Sequence, residues 1–312
     1  MLGPLRLGKD GSELRRLGVG TNSWNSGRFE GAREALAAAL DAGITLVDTA
    51  EVYGNGDSER TIGRLLRESQ SERSAVIATK FAPLPYRLST RSLSHALDAS
   101  LGRLALQAVD LYQVHWPFTL LRIESLMGRL ADEVDAGRVR SVGVSNYNAA
   151  QMRRAHAALA RRGVALVSNQ VNYSLLHRAP ETNGVLDACR ELGITLIAYT
   201  PLASGALTGK YRPGGQRPEG LRRHMPAFRK IEQVLPVVEE LERIGQEHGR
   251  SAAQVAIHWL ARQDAVLPIP GAKDGRQASE NARSIDFEID EKQAARLAEV
   301  SRAWRRSGQP DR

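Results

Sequence analysis

Short runs of β-branched and other apolar residues alternate along the chain with longer stretches whose apolar positions recur at helical spacing. The runs are LGVGT (17–21), ITLVDTA (44–50), AVIATKF (75–81), LYQVHWP (111–117), VRSVGVSN (139–146), LVSNQVN (166–172), TLIAYTPL (195–202) and AVLPIPGA (265–272). Between them lie amphipathic segments such as GAREALAAALDAG, SERTIGRLLRES, TRSLSHALDASLGRL and SAAQVAIHWLARQ. Strand starts fall about 30 residues apart, the length of one strand–helix unit, except for a long gap before the last. Eight such units predict an α/β fold, a (β/α)8 TIM barrel spanning residues 1–312 as a single domain.

The competing α/β fold, a doubly wound sheet, lacks its nucleotide fingerprint here. GVGTNS has Ser23 where the third glycine belongs, and GNGDSE fails likewise. GALTGKY has one residue too few between its glycines for a phosphate-binding P-loop, and Tyr211 follows its lysine. Two additions to the barrel are predicted. The first fifteen residues, turning at GKDGSE, form an N-terminal hairpin that closes the bottom. A long loop after the seventh strand, SGALTGKYRPGGQRPEGLRRHMP, has the length of a lid or binding loop. The stretch AFRKIEQVLPVVEELERIGQEHG after that loop predicts an extra helix, and DEKQAARLAEVSRAWRRS a final amphipathic one.

Composition narrows the class. Hydrophobic residues make up 42% of the chain, ample for a large core, yet no apolar run reaches membrane-spanning length. The N-terminus lacks an apolar segment ending in a small-residue cleavage site, which predicts a cytoplasmic protein. A single cysteine, Cys189, excludes an intramolecular disulfide and a cysteine zinc site, and no metal is expected. The net charge of +8 comes from arginines scattered as pairs on helical stretches, not from a basic block interleaved with aromatics. A solvated arginine-rich surface accounts for most of that charge; neither nucleic acid nor membrane is the expected partner, and a small anionic ligand ranks above nucleic acid.

Barrel strands present chemistry at their C-terminal ends. There the second run ends in Asp48, with Tyr53 in its loop, the third in Lys80 and the fourth in His115. Each residue has an ordinary reading alone: a turn acid, a surface phenol, a solvated amine, a core imidazole. Together, from three successive strands, they form a set suited to general acid catalysis on a carbonyl. A nearby ammonium favours the phenolate, so Lys80 would tune Tyr53; Asp48 would fix Lys80, and His115 would orient the carbonyl oxygen. Only six of the 43 basic residues are lysines, and arginine would be the poorer tuning element. What this set lacks is a hydride. A second chemistry open to the same residues is an aldolase or isomerase using Lys80 as a Schiff base.

DTAEVYGNGDSE, IATKF, VHWP, GVSN, SNQVNYS, AYTPLASGALTGKY and IPGA…QASEN occur in order through nearly the whole chain. In this set the chain resembles the aldo-keto reductase superfamily, and within it the branch that includes potassium-channel β-subunits and bacterial and plant reductases. The resemblance implies the (β/α)8 fold, an extended nicotinamide cofactor, and the tetrad Asp48, Tyr53, Lys80 and His115. Thr21 belongs to the implied cofactor track. Ser145, Asn146 and Gln170 offer donors and acceptors for a carboxamide, and Tyr199 a ring for stacking on the nicotinamide. Thr200, Pro201, Leu202, Ser204 and Gly205 would line the pyrophosphate path, with Lys210 meeting phosphate charge. Gly271, Lys273, Gln277, Glu280 and Asn281 would hold the adenosine end, and Trp24 and Trp116 the substrate pocket. Asn22 stands where relatives often carry an aromatic, and Asp274 where a basic residue is common near the NADP 2′-phosphate. The expected activity is NADP(H)-dependent reduction of an aldehyde or ketone; a cofactor-sensing regulatory subunit with vestigial turnover is the alternative.

Overall fold

The computed structural model describes residues 2–7, 13–68, 74–216, 218 and 220–306. An antiparallel ribbon of β1 (Leu5–Arg6) and β2 (Glu13–Leu14) comes first. Then follow the parallel strands β3 (Gly18–Gly20), β4 (Leu46–Asp48), β5 (Val76–Phe81), β6 (Val109–Val114), β7 (Val139–Ser145), β8 (Leu166–Asn172), β9 (Thr195–Tyr199) and β10 (Val266–Pro268). Each pairs with the next in sequence, and the ring closes where the Gly20 N–H donates to the Pro270 carbonyl at 3.0 Å. This is the expected barrel, and every predicted apolar run overlaps one of its strands.

The outer ring comprises α1 (Phe29–Asp41), α2 (Asp57–Glu68), α3 (Arg91–Leu104), α4 (Ile123–Asp135), α5 (Ala149–Ala160), α6 (Val185–Leu192), the short α7 (Pro226–Arg229), α8 (Ile231–His248), α9 (Ala252–Ala261), α10 (Gly275–Ala282) and α11 (Glu291–Val300). Capping boxes start three of them, Asn148 with Gln151, Ser251 with Gln254 and Asp290 with Gln293, satisfying first-turn amides that would otherwise be orphaned. The last α-helix is shorter than its pattern predicts. Ser301 turns its hydroxyl back onto the Leu297 carbonyl at 2.6 Å, and a 3-10 turn over Arg302–Arg306 follows. Among the described residues no helix is long and apolar enough to cross a membrane.

Side chains on a strand alternate between faces, and the alternation builds the site. Outward residues such as Val47, Ile77, Tyr112, Val114, Val142 and Val144 join the helices in the main core. Inward residues near the strand starts, Leu46, Ala78, Leu111, Ile197 and Leu267, form a second apolar cluster sealed by Leu5, Leu7 and Leu14 of the ribbon. The ribbon therefore plugs the bottom as expected; the turn expected at GKDGSE falls on residues 8–12, outside the described residues. Two residues further along the same strands the inward positions become polar: Leu46 gives way to Asp48, Ala78 to Lys80, Leu111 to Gln113, Ile197 to Tyr199. The barrel interior is apolar below and polar above.

Candidate active site

The Lys80 ammonium sits at the centre of that polar layer and is fully buried. It donates to Asp48 Oδ2 at 2.7 Å and to the Thr49 carbonyl at 2.7 Å, and lies 3.4 Å from the Tyr53 hydroxyl. The other Asp48 oxygen accepts from Gln170 Nε2 at 2.7 Å and from Gln113 Nε2 at 3.4 Å. A buried charge pair persists when its remaining valences are met, and here they are. Tyr53 opens a tight turn in which Gly54 and Asn55 take left-handed φ of 55° and 54°; Asn tolerates that conformation better than most side chains. The turn carries the phenol back over the barrel. His115 follows β6, held by its N–H to the Phe81 carbonyl at 2.9 Å. Its ring stacks on Trp116 with centroids 3.9 Å apart and stands edge-on to Tyr53 at 6.1 Å. All four tetrad residues converge.

Protonation follows from this geometry. Burial lowers the His115 pKa to about 3, with the Lys80 charge acting in the same direction, so the imidazole is neutral at neutral pH. For Tyr53 the sequence-based expectation of a lowered pKa is corrected. Burial is the larger influence and raises it; Lys80 pulls it down, Asp48 pushes it up, and the balance is upward. Burial works against the Lys80 ammonium, but the Asp48 carboxylate and Tyr53 outweigh it and hold the amine protonated. An ammonium without a free lone pair is no Schiff-base nucleophile, so the aldolase chemistry does not fit.

Above this floor opens a cavity of about 920 Å³ lined by Asp48, Tyr53, His115 and Trp116. Every residue expected on the cofactor track lines it too: Thr21, Ser145, Asn146, Gln170, Tyr199, Thr200, Pro201, Leu202, Ser204, Gly205, Lys210, Gly271, Lys273, Gln277, Glu280 and Asn281. Several are already engaged within the protein. Gln170 holds Asp48; Ser145 donates to the Gln170 carbonyl at 2.8 Å; Asn146 donates to the His115 carbonyl at 3.0 Å and accepts from the Tyr199 hydroxyl at 3.0 Å. The Thr21 hydroxyl is spent on the Asp48 carbonyl and Ser58. Asn146 and Thr200 have φ of 61° and 55°, uncommon for any residue and a marked outlier for branched Thr200, and both sit on the cavity wall.

Two residues were misjudged from sequence. Trp24 is not a pocket wall: it is buried, donates its indole N–H to the Ala272 carbonyl at 2.7 Å, and leaves the wall to Asn22 and Ser23. Asp274 does not face a phosphate as a free charge. It is the N-cap of α10, accepting from the Gln277 N–H at 2.8 Å, so its carboxylate is tied to the helix start. Asp274→Ala is expected to destabilise the fold by about 0.5–2 kcal/mol, measured by urea unfolding. No loss would show the cap to be dispensable.

Sequence reasoning missed Arg222, which lines the cavity from the long loop; Arg276, expected with Lys273 as a cation for the 2′-phosphate at the start of the final barrel helix, lines it as well. With Lys210 and Lys273 they place four cations around the cavity. Glu280 pairs with Arg276 at 2.9 Å, an exposed contact of small worth. Gly31 on α1 allows the Lys273 loop to approach, since a Cβ there would lie 2.3 Å from the Lys273 carbonyl oxygen. Cations beside the start of α10, where helix amides favour anions, fit a phosphate-bearing nucleotide cofactor.

A family model described as Aldo/keto reductase family matches residues 16–302. The chloroplastic pyridoxal reductase of Arabidopsis thaliana is 36% identical, covering 88% of this chain and 79% of that protein. An aldo-keto reductase of Schizosaccharomyces pombe whose name specifies NADP(+) is 34% identical over 87% of this chain and 82% of its own. Among solved structures, the glycerol dehydrogenase of Gluconobacter oxydans superposes with a TM-score of 0.84 at 27% identity, covering 98% of this chain and 97% of that one.

Proposed function

The chain belongs to the aldo/keto reductase family, and from that premise we propose that it is an NADPH-dependent reductase of small aldehydes or ketones, with Tyr53 as general acid. The observation that carries this reading is the convergence of Tyr53, Lys80, Asp48 and His115 at the floor of a cavity lined by four cations. Lys210, Arg222, Lys273 and Arg276 would hold the phosphates, Tyr199, Asn146, Ser145 and Gln170 the nicotinamide end, and Gln277, Glu280 and Asn281 the adenosine. When bound, the reduced nicotinamide supplies the hydride for the carbonyl carbon.

This chain's own residues do the rest. A neutral His115 can offer an N–H to the carbonyl oxygen without adding a charge. As that oxygen gains negative charge, Tyr53 O–H gives it a proton and the alcohol forms. The phenolate left behind lies against the Lys80 ammonium at 3.4 Å, which stabilises it until solvent restores the proton. Trp116, stacked on His115, lines the same cavity and would bound the substrate beside the imidazole.

The decisive assay is loss of NADPH absorbance across a panel of aldehydes, sugars, pyridoxal and quinones, run in parallel with NADH. No turnover of any carbonyl would remove the reading. NADP carries a 2′-phosphate that needs cations or aimed donors. Lys273 and Arg276 supply them, and Asp274 opposes them less than its charge suggests because it is bound to its own helix. NADPH is expected to be preferred, and Lys273→Ala and Arg276→Ala each to erode the kcat/KM ratio roughly tenfold, the worth of one charge-assisted hydrogen bond. Equal kcat/KM for both cofactors in the unaltered protein would refute the phosphate assignment.

A further inference from the structure

Between Asp48 and Tyr53 lies a residue the chemistry above does not use. Glu51 reaches from the phenol-bearing loop to the end of the next strand. Its Oε1 accepts the Ala82 N–H at 2.6 Å and Arg87 Nη1 at 2.5 Å, and its Oε2 accepts Arg87 Nη2 at 2.9 Å. Arg87 also donates from Nη1 to the Ala82 carbonyl at 2.7 Å and lays its guanidinium over the Phe81 ring at 5.1 Å. The pair is largely buried, with side chains 9% and 15% exposed, unlike most other Arg–carboxylate contacts of this arginine-rich surface.

The bonds converge on one place. Ala82 follows Phe81, whose carbonyl holds the His115 N–H at 2.9 Å. Phe81 in turn follows Lys80. Glu51 thus ties the loop of the proton donor to the strand end that carries the ammonium and anchors the imidazole. A two-pronged Arg–carboxylate contact fixes orientation as well as distance, which a single hydrogen bond does not. Tyr53 sits only two residues from Glu51, in a turn with left-handed backbone at Gly54 and Asn55, so the loop needs such a tether to hold one geometry.

We propose that Glu51 and Arg87 are positioning residues for the proton-transfer step: a clasp that sets the Tyr53 hydroxyl against Lys80 and the substrate oxygen. The inference rests on Tyr53 being the general acid. The clasp lies on the β4–β5 side of the barrel, whereas the cations around the cavity come from the β9 and β10 loops and α10. It should therefore act on turnover and leave cofactor binding alone.

The test uses Glu51→Gln, which keeps the shape and removes the charge, and Arg87→Met, which keeps an apolar stem over Phe81. Each is followed by kcat, by NADPH Kd from tryptophan fluorescence, and by thermal melting. Misplacing a reacting group by about 1 Å costs up to 10²-fold in rate, so kcat is expected to fall tenfold or more in both variants while the NADPH Kd stays within twofold. Each substitution is then combined with Tyr53→Phe. Because the clasp acts through the phenol, the double variants are expected to turn over within about threefold of Tyr53→Phe alone. Unchanged kcat in the folded single variants overturns the proposal. So do full multiplication of the two losses and a parallel fall of kcat and NADPH affinity, since both would mark a merely structural pair. Should Tyr53→Phe itself keep full turnover, the general-acid reading fails first, and the two failures are distinguished.

Discussion

Tyr53→Phe is expected to lower kcat for carbonyl reduction by at least two orders of magnitude, within the roughly 10² to 10⁴ that a placed general acid supplies. The substitution removes one oxygen and leaves the ring edge-on to His115, so the loss reports proton donation and not packing. His115 cannot take over. With a pKa of about 3 it is neutral across the working range, and a neutral imidazole is a poor acid. The cofactor Kd should hold, because the phenol faces the substrate. The same charges fix the pH dependence. Reduction needs Tyr53 protonated, and its pKa is raised, so kcat should stay flat through neutral pH and fall only at alkaline pH. Full turnover in the Tyr53→Phe variant would leave the tetrad without its proton donor.

Much of this site is legible in the sequence alone. Period-two alternation makes Asp48, Lys80 and His115 inward residues at strand ends, and the barrel converts neighbouring strand ends into one mouth. Trp24 shows where that logic stops. It lies in the turn beyond β3, and sequence distance from a strand end does not say whether a loop side chain points into the mouth or down into the core. Its indole found a carbonyl partner at Ala272, which lies 248 positions away. Asp274 was legible but misweighed: Asp followed three residues later by Gln, ahead of helical periodicity, is a cap signature. Reading it as a bare charge near a phosphate ignored the amide it would accept. The raised Tyr53 pKa could not be read at all, since the sequence named the ammonium but not the depth of burial that outweighs it. The Glu51–Arg87 clasp was invisible for a related reason: its partners are 36 residues apart on loops whose meeting only the folded register decides.

Lys80→Met should produce the other large effect, and on two quantities at once. Lys80 opposes burial at the phenol, so its loss is expected to raise the Tyr53 pKa further. Alcohol oxidation uses the phenolate as base, and its rate profile should therefore move to higher pH. Turnover at neutral pH should fall about tenfold for every pH unit by which that profile moves, because the phenolate fraction falls by the same factor. Reduction, which uses the protonated phenol, should lose less through this route. The second effect is on stability. Removing one partner of a buried pair leaves the Asp48 carboxylate facing only amides, a change that typically costs about 3–5 kcal/mol. Asp48→Asn in the same chain removes that stranded charge and can still accept from Gln170. The double variant is therefore expected to regain much of the lost stability in urea unfolding without regaining oxidation at neutral pH, because the cation beside Tyr53 is still missing. Joint recovery of stability and oxidation would show that Lys80 serves only to neutralise Asp48. An unmoved pH profile in Lys80→Met would show that its field does not reach the phenol across 3.4 Å.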